Sequence, residues 1–441
     1  MVYIIPVVTL LLVVWGWKNP RFLITLLIVA LALEISRTWF PHLVLLDRLG
    51  AFVGVIDLGR IMVFVLISYF LIDQARCKDF GLEYGFHRRT IWRNPLFLVS
   101  GIYIFVGLLS LAWSVDPPRT LVATIRLGVL WFMGIAVYHL VIKSRERWLV
   151  PLTFGVMATI VAGIGAYEAV SQHFLWLGEI YQPLGRVNST FVDANILARF
   201  LIIGALATLV WILMASNWTG KLVGFLALLL QMAALLATGS RTGWLIASLV
   251  LVFFAVLLPR KVVIFPLIGC FLSAGLYITL NPALLGRITE LKQGFWAAGL
   301  QRQYLIPAAW DMFMHHPLLG VGSGGFQKTL LTNYSDLVQE GISLSHTAVM
   351  TTASELGILG LGVLGSFLFF LYWPILKFRK LAKNAFKYSE VQVTSVLSIF
   401  AILVVTTIFI SAQAESRFFE DPFLWVSLGY LAALGDLEGA G

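Results

Sequence analysis

The chain has 441 residues, of which 59% are hydrophobic and only 12% are charged. A soluble domain carries about 25% charged residues, so this composition excludes a water-exposed globule and indicates a helical membrane protein. The net charge of +9 does not call for nucleic acid, since the cytoplasmic loops of membrane proteins concentrate Lys and Arg.

Long apolar runs recur along the whole chain and predict an all-α polytopic membrane protein. A transmembrane helix needs about 20 apolar residues. The first two runs are short and the last can be re-entrant, so we predict 12 or 13 transmembrane helices. The runs cover residues 3–17, 21–36, 50–72, 95–113, 120–142, 148–170, 195–215, 221–238, 243–259, 262–280, 346–374, 391–411 and 422–435.

Lysine and arginine residues set the predicted orientation. The basic segment 76–93 is expected to face the cytoplasm, because positive residues collect on that side. Alternation from there places two long segments on the outer side. We therefore predict three parts: residues 1–280 with ten helices and the outer loop 171–194, residues 281–345 as a helical segment along the outer interface that forms a lid or a substrate platform, and residues 346–441 as the C-terminal spans.

The first outer loop ends in a polar stretch that leads into a span. Arg186 is predicted to lie outside, and Asn195 and Arg199 to enter the membrane. Arg199 falls about one turn inside, where a charge should be paired or should face a polar cavity. A salt bridge with Asp193 or Glu168 and a role in substrate binding are both open.

A second polar turn, residues 236–243, joins two predicted spans at the outer face. Its Arg241 opens the following helix, where the helix dipole disfavours a cation, and this indicates an anionic ligand. A guanidinium suits phosphate because it donates two parallel hydrogen bonds and stays protonated. The alternative is an arginine whose charge simply reaches the lipid headgroups.

The outer segment 281–345 contains a predicted amphipathic helix at 299–314. Its apolar face is formed by Leu300, Tyr304, Pro307, Ala308 and Met312, and its polar face by Arg302 and Asp311. His315 and His316 precede Pro317 and a glycine-rich turn, where the helix is expected to break. No carboxylate spacing completes a metal site around these histidines, so we predict no metal.

The span at 346–374 begins with His346. At 100° per residue, Gly357 lies about 20° and Gly360 within about 40° of His346, so the histidine is predicted to cap a stripe of small residues. Glu355 falls about 180° away and roughly 13 Å deeper, where an acid needs a partner or a function. Taken alone, a histidine at a helix end is more often an interfacial polar residue.

Four of these residues share the predicted outer side: Arg186, Arg241, Arg302 and His346. Two or more arginines can hold a diphosphate leaving group and offset its developing charge. A histidine can accept a proton from an attacking hydroxyl near neutral pH. Together they suit transfer of a group from a lipid diphosphate to an alcohol, with no nucleotide or other cofactor. Arg119 is either a further arginine of this set or part of a tight turn.

These segments resemble the superfamily of O-antigen ligases and O-antigen polymerases, which are membrane glycosyltransferases, over roughly residues 185–362. Ligases carry a histidine, then Asn, Ser or Gln, nine further residues, a glycine and, three positions on, another glycine or similar residue. His346, Gly357 and Gly360 fit this pattern, whereas Thr347 departs from it. The resemblance rests on four pieces in order: Gly185-Arg186…Thr190-Phe191…Asn195; Thr238-Gly239-Ser240-Arg241; Arg302…Pro317-Leu318-Leu319-Gly320-Val321-Gly322…Phe326; and His346…Glu355-Leu356-Gly357-Ile358-Leu359-Gly360.

The resemblance implies a fold similar to the C-type glycosyltransferases, with a periplasmic lid between two late spans. The implied site has His346 as base, Arg186, Arg241, Arg302, Asn195 and Ser240 as substrate-binding residues, and Glu355 and Arg199 as supporting residues. The implied donor is a polysaccharide on undecaprenyl diphosphate, and the implied acceptor is lipid A–core oligosaccharide. The reaction would take place without a metal at the periplasmic face of the bacterial inner membrane.

Other functions are open at this point. A polymerase or a protein O-oligosaccharyltransferase of the same superfamily would differ from a ligase in its acceptor. A polysaccharide-lipid flippase is disfavoured, because transporters tend to show repeated halves and ionisable residues near the membrane midplane. Membrane lipids are predicted partners, and nucleic acid is not.

Overall fold

The computed structural model shows a chain built from helices. It describes residues 4–39, 57–79, 91, 93–258, 302–334, 345–377, 390–415 and 418–439, with single positions between 264 and 279. No strand occurs within these residues. The α-helices are α1 (Ile4–Lys18), α2 (Leu23–Ala32), α3 (Leu58–Asp79), α4 (Pro95–Leu109), α5 (Pro117–Ser144), α6 (Leu149–Ser171), α7 (Gly178–Tyr181), α8 (Ala194–Met214), α9 (Trp218–Ala237), α10 (Arg241–Leu257), α11 (Arg302–His315), α12 (Phe326–Asn333), α13 (Ala348–Tyr372), α14 (Glu390–Glu415) and α15 (Pro422–Gly439).

Eight helices in the described part of the chain are long and apolar enough to cross a membrane. They are α3, α4, α5, α6, α8, α9, α13 and α14, and α1, α2, α10 and α15 are shorter apolar helices. The predicted class, a polytopic helical membrane protein, is therefore confirmed. The count of 12 or 13 spans stays a prediction, since the apolar run at 262–280 lies mostly outside the described residues.

Two helices, α8 and α14, form the centre of the bundle. In their apolar windows 89% and 83% of the residues are buried, against 28% for α3. A helix that is apolar on all sides needs such surroundings, and α8 packs against α6, α9 and α14. The approach of α6 to α8 depends on Gly204, where a Cβ would lie 2.0 Å from Cβ of Ala158. This core fixes the positions of Arg199 on α8 and Glu415 on α14.

The helix α13 is broken at Gly357, where φ is 62°. The break removes helical partners from nearby backbone groups, and the turn after α11 replaces them. The replacement bonds run from Val321 N to Ser354 O and from Gly322 N to Glu355 O, both 2.9 Å, and from Ile358 N to Pro317 O, 2.8 Å. Non-helical backbone at membrane depth is tolerated where protein groups satisfy it in this way. The turn at 317–322 and α13 therefore form one structural unit.

Gly320 is the tightest point of this unit. A Cβ there would lie 2.3 Å from the carbonyl carbon of Glu355 and 2.5 Å from the amide nitrogen of Leu356, and φ is +65°. We expect Gly320→Ala to lower the free energy of unfolding by on the order of 2–3 kcal/mol, from left-handed strain and overpacking together. The measurement is the midpoint of thermal unfolding, Tm, of the purified protein in detergent.

Gly362→Ala is the matched control for that variant. Gly362 lies on α13 beyond the break, and no atom lies within 4 Å of the position its Cβ would take. Its Tm should equal or exceed that of the wild type, because glycine weakens a helix interior relative to alanine. Equal Tm values for the two variants would show that the turn does not depend on Gly320.

Two sequence predictions for this region are wrong. His346 precedes α13 and does not open it, because α13 begins at Ala348 after its N-cap residue Thr347. The small residues do not form one stripe along a continuous helix, since the break at Gly357 interrupts the helical phase. Gly357 instead contacts the backbone of Leu318, whose carbonyl carbon would lie 2.5 Å from an added Cβ.

The amphipathic helix predicted at 299–314 is observed as α11, which begins at Arg302. Its buried face packs on α12 through a small apolar cluster: Leu305, Ala308, Ala309, Met312, Phe326 and Leu330. Tyr304 was predicted on this face and is 46% exposed, because Leu305 takes the inward position. The role of 281–345 as a lid stays a prediction, and 281–301 and 335–344 lie outside the described residues.

Candidate functional site

Two carboxylates hold the loop that precedes α8. Glu168, fully buried on α6, accepts hydrogen bonds from the backbone N–H groups of Leu175 at 3.1 Å and Ser189 at 2.9 Å. Glu34, just after α2, accepts from the N–H of Val192 at 2.8 Å. Burial raises the pKa of the Glu34 carboxyl, and the Val192 N–H opposes that rise. The loop keeps a defined shape because these backbone amides are paired with acids.

Arg186 lies where this loop meets the turn between α9 and α10. Its Nε donates to the carbonyl of Thr238 at 2.8 Å, and its Nη2 donates to Oδ1 of Asn195 at 2.9 Å. A backbone bond of 3.2 Å from Val187 N to Ala237 O joins the same two segments. The structure thus brings two of the sequence motifs together. The bonds use two of the five N–H donors of the guanidinium.

The turn between α9 and α10 places Arg241 at the N-terminus of α10. Ser240 caps this helix, because its Oγ accepts from the N–H of Gly243 at 3.1 Å. Ser240 is 3% exposed, and its hydroxyl already accepts the N-cap hydrogen bond of α10. Its membership of the substrate-binding set therefore stays a prediction. Gly243 holds the start of α10 against α8, where its Cβ would lie 2.8 Å from Cβ of Ala198. The helix N-terminus and Arg241 together favour an anion.

Arg199 lies in the second turn of α8 and is 7% exposed. Its Nη1 lies 2.6 Å from Oε2 of Glu415, and its Nη2 lies 2.9 Å from Oδ2 of Asp421. The buried charge of Arg199 is therefore paired with acids, which is one of the two arrangements expected for a charge at this depth. The predicted partners Asp193 and Glu168 are wrong, because Asp193 accepts from the N–H of Asn195 and Glu168 accepts from backbone N–H groups of the loop after α6.

His346 lies in a strained stretch of backbone before α13. Its φ of 61° is left-handed, which is uncommon for a non-glycine residue and costs roughly 1–2 kcal/mol. The buried Ser345 shares a hydrogen bond of 2.8 Å with Oγ1 of Thr351. On the other side, the N–H of Val349 donates to Oε1 of Gln413 at 3.3 Å. Such strain persists only where the surroundings impose it, and it clusters at functional sites.

The C-terminal end of α14 connects the histidine with the arginine-bearing segments. Gln413 bonds the backbone three residues after His346. Glu415, two positions further along α14, pairs with Arg199. Arg199 in turn lies one helical turn after Asn195, the partner of the first arginine motif. A hydrogen bond and an ion pair of α14 therefore connect the segment that contains His346 with the segment that contains Arg199.

A polar cavity of roughly 180 Å³ lies beside the start of α13. Its walls come from α4, α5, α13, the glycine turn after α11 and the turn before α15. The polar side chains that line it are Tyr103, Arg119, Arg126, Ser323, Thr351, Thr352, Glu355 and Glu420. The predicted need of Glu355 for a partner is met, since its Oε1 accepts from the N–H of Phe326 at 3.4 Å.

Arg126 and Glu420 were not identified from the sequence, and Arg119 was left between two alternatives. The turn is observed, because Asp116 caps α5 by accepting from the N–H of Arg119, and the Arg119 side chain lines the cavity. Its membership of the arginine set stays a prediction. Arg126 lies roughly 13 Å along α5 from its start, a depth at which a charge should face a polar cavity. That depth is the signal that identifies it. Glu420 lies in a short turn before Pro422 and gives no comparable signal.

The central segment of the chain matches a known protein family. Residues 224–365 match the family model described as O-antigen ligase. This segment is similar to the O-antigen ligase family. No curated protein matches the chain significantly. The resemblance found in the sequence is thereby confirmed for the segment from α9 to the middle of α13.

The matched segment contains Arg241, Arg302 and His346, whereas Arg186 and Arg199 precede it. Arg302 is the first residue of α11, and its side chain lies outside the described part of the structure. Within the described ranges, no group of three or more His, Cys, Asp or Glu side chains could hold a metal ion. The family match and the apolar helices together support a glycosyltransferase-type enzyme in a membrane.

Proposed function

We propose that this protein transfers O-antigen polysaccharide from undecaprenyl diphosphate to lipid A–core oligosaccharide. The observation that carries the proposal is His346, which lies on strained backbone within the segment that matches the O-antigen ligase model. Three residues after it, the N–H of Val349 bonds Gln413 of α14, the helix that also carries Glu415, the partner of Arg199. The distribution of positive residues favours a site at the periplasmic face of the bacterial inner membrane.

The proposed reaction is a single displacement at the anomeric carbon of the donor. The hydroxyl oxygen of the acceptor attacks this carbon, and His346 takes the hydroxyl proton. The bond from the anomeric carbon to the diphosphate oxygen breaks, and its electron pair leaves with the diphosphate. Arg186 and Arg241 offset the charge that develops there. A histidine has an ordinary pKa of about 6.5, so it can act as a base near neutral pH.

The donor brings its own leaving group, so the proposed reaction uses no nucleotide and no metal. The alternatives within the superfamily, a polymerase and a protein O-oligosaccharyltransferase, differ in the acceptor alone. A flippase is disfavoured for two reasons. Arg186, Asn195 and Arg199 lie near one end of the helix bundle and not at its middle. The matching family is also one of glycosyltransferases.

Lipopolysaccharide from a deletion strain tests the proposal directly on a gel. A ligase is indicated if all O-antigen-bearing bands disappear from an intact core while lipid-linked polymer accumulates. A surviving band of core plus one repeat would indicate a polymerase. A repeat trapped on the cytoplasmic leaflet would indicate a flippase, and a normal band pattern would contradict every function in the lipopolysaccharide pathway.

Arg241→Lys is expected to reduce transfer by roughly 10- to 100-fold, because a lysine keeps the charge but cannot form the bidentate fork. That loss corresponds to about 1.5–3 kcal/mol, the contribution of a hydrogen bond to a charged group. The measurement is the initial rate of transfer by purified protein from a lipid-diphosphate donor.

Arg21→Lys is the control for that substitution. Arg21 lies near the opposite end of the bundle and rests over the ring of Phe22, 4.7 Å from its centroid. Its replacement should leave the rate unchanged. A full rate for Arg241→Lys as well would favour an arginine that only reaches the lipid headgroups.

A further inference from the structure

The cavity beside the start of α13 is lined by charges of both signs. Arg119 and Arg126 lie seven residues apart on α5, which places them about 20° apart on one face of the helix. Glu355 lines the cavity from α13 and Glu420 from the turn before α15. A diphosphate would meet two carboxylates here, whereas a hydroxyl can donate to a carboxylate and accept from a guanidinium. The charges therefore fit a ligand rich in hydroxyl groups.

Aromatic side chains form another wall of the same cavity. Phe418 and Phe419 line it, and the rings of Phe419 and Tyr103 lie 4.4 Å apart between centroids. The hydroxyl of Tyr103 lies 3.4 Å from Oγ1 of Thr352, another lining residue. Aromatic rings with a polar tip suit a ligand that has an apolar face and a polar edge. A sugar ring is such a ligand.

The size of the cavity limits what it can hold. Sites that enclose a drug-sized ligand measure about 300–1,000 Å³, and this cavity measures roughly 180 Å³. It therefore admits one sugar ring, and the remainder of an oligosaccharide has to stay outside it.

The cavity lies next to the proposed base. Ala348, two residues after His346, is part of its lining. Thr351 also lines it and shares a hydrogen bond of 2.8 Å with Ser345, the residue immediately before His346. A ligand in the cavity is therefore held by the same turn of α13 that fixes the backbone of His346.

We propose that this cavity is the subsite for the terminal sugar of the acceptor saccharide. The inference rests on the proposed transfer reaction and adds the place where the acceptor ring binds. Arg119, Arg126 and Glu355 hydrogen-bond the hydroxyl groups of the ring, and Phe419 contacts its apolar face. The acceptor hydroxyl that reacts then lies beside His346.

Arg126→Gln tests the subsite, because Arg126 is exposed and glutamine is a good helix former. Purified full-length protein is assayed with undecaprenyl-diphosphate-linked polysaccharide and lipid A–core as the two varied substrates. We expect the KM for lipid A–core to rise at least about tenfold, because the variant loses one hydrogen bond from a charged group. The KM for the donor should stay unchanged. Arg21→Gln, near the opposite end of α5, is the control and should change neither KM.

Tyr103→Phe is a second variant, which removes a hydroxyl from the cavity and keeps the ring. It should raise the same KM and leave the donor KM unchanged. A higher donor KM with an unchanged acceptor KM would assign the cavity to the donor and overturn the inference. Unchanged values for both substrates in both variants would also overturn it.

Calorimetric titration with delipidated core oligosaccharide, in the absence of donor, separates the subsite from the proposed function. One outcome supports the subsite and contradicts the proposed function: the wild type binds this saccharide, Arg126→Gln binds it more weakly, and neither protein transfers polysaccharide. If the wild type transfers polysaccharide and both proteins bind the saccharide equally, the subsite alone fails. A serine- or threonine-containing peptide that displaces the saccharide would overturn the saccharide assignment in favour of a protein acceptor.

Discussion

His346→Ala is expected to reduce transfer by at least about 100-fold, the lower end of the 10²–10⁴-fold contribution of a general base. The alanine cannot accept the proton of the acceptor hydroxyl, so the attacking oxygen stays protonated as the bond forms. The measurement combines the initial transfer rate of purified protein with a lipopolysaccharide gel from a complemented deletion strain. Protein level and membrane insertion should persist, because no helix begins or ends at His346.

His346→Gly is the matched control for this variant, since it also lacks the imidazole but fits the left-handed backbone. The φ of 61° is strained for alanine and unstrained for glycine. We expect the glycine variant to be equally inactive and more stable than the alanine variant by about 1 kcal/mol. Near-normal transfer by either variant would remove His346 as the base. Inactivity of the alanine variant alone would show that backbone strain, and not the imidazole, is responsible.

Arg199→Met is expected to lower the free energy of unfolding by about 3–5 kcal/mol, because it leaves the buried carboxylate of Asp421 and the partly buried carboxylate of Glu415 without their cation. Glu415 and Asp421 both face the guanidinium, at 2.6 and 2.9 Å, and Asp421 is itself 3% exposed. The measurement is the Tm of the detergent-solubilised protein and the fraction that elutes as a single species in gel filtration.

Arg37→Met provides the comparison for that loss. Arg37 pairs with Glu34 at 3.3 Å, and the two side chains are 31% and 26% exposed. A partly solvated pair of this kind contributes about 0–1 kcal/mol, so the change in Tm should be small. Equal losses in the two variants would mean that the three-residue cluster around Arg199 does not fix α14 and α15 against α8.

The positions of the helices are predictable from the sequence because their physical cause is local. A run of apolar residues long enough to span the membrane has to satisfy its backbone hydrogen bonds internally, and so it becomes a helix. The runs predicted at 148–170 and 195–215 are observed at Leu149–Ser171 and Ala194–Met214. Polar turns mark their ends, as Asp193 does for α8.

The partners of buried charges are not predictable in this way, since they depend on which helices become neighbours. The sequence indicates that Arg199 needs an acid, and the nearest acids along the chain are Asp193 and Glu168. The observed partners come from α14 and the start of α15, because these elements pack beside α8. Arg126 shows the same limit, since its cavity exists only where α5 meets α13.

The sequence predicts which residues share one side of the membrane, and the structure adds which of them touch. Arg186 bonds the turn that carries Arg241, through the carbonyl of Thr238. The break at Gly357 could not be inferred, because helical periodicity assumes an uninterrupted helix. Its only sequence signals are glycines in both contacting segments, and these fit a helix–helix contact equally well.

The length of α13 indicates how deep its two ends lie in the bilayer. From Ala348 to Tyr372 the helix has 25 residues, roughly 37 Å at about 1.5 Å per residue, which exceeds the roughly 30 Å thickness of the hydrocarbon layer. The turn that begins at Ala348 therefore stands above that layer, at the level of the lipid headgroups. A lipid-anchored donor carries its diphosphate at this same height. In the proposed orientation, the hydrocarbon chain of undecaprenyl diphosphate can remain in the bilayer throughout the reaction, and only the saccharides move in water.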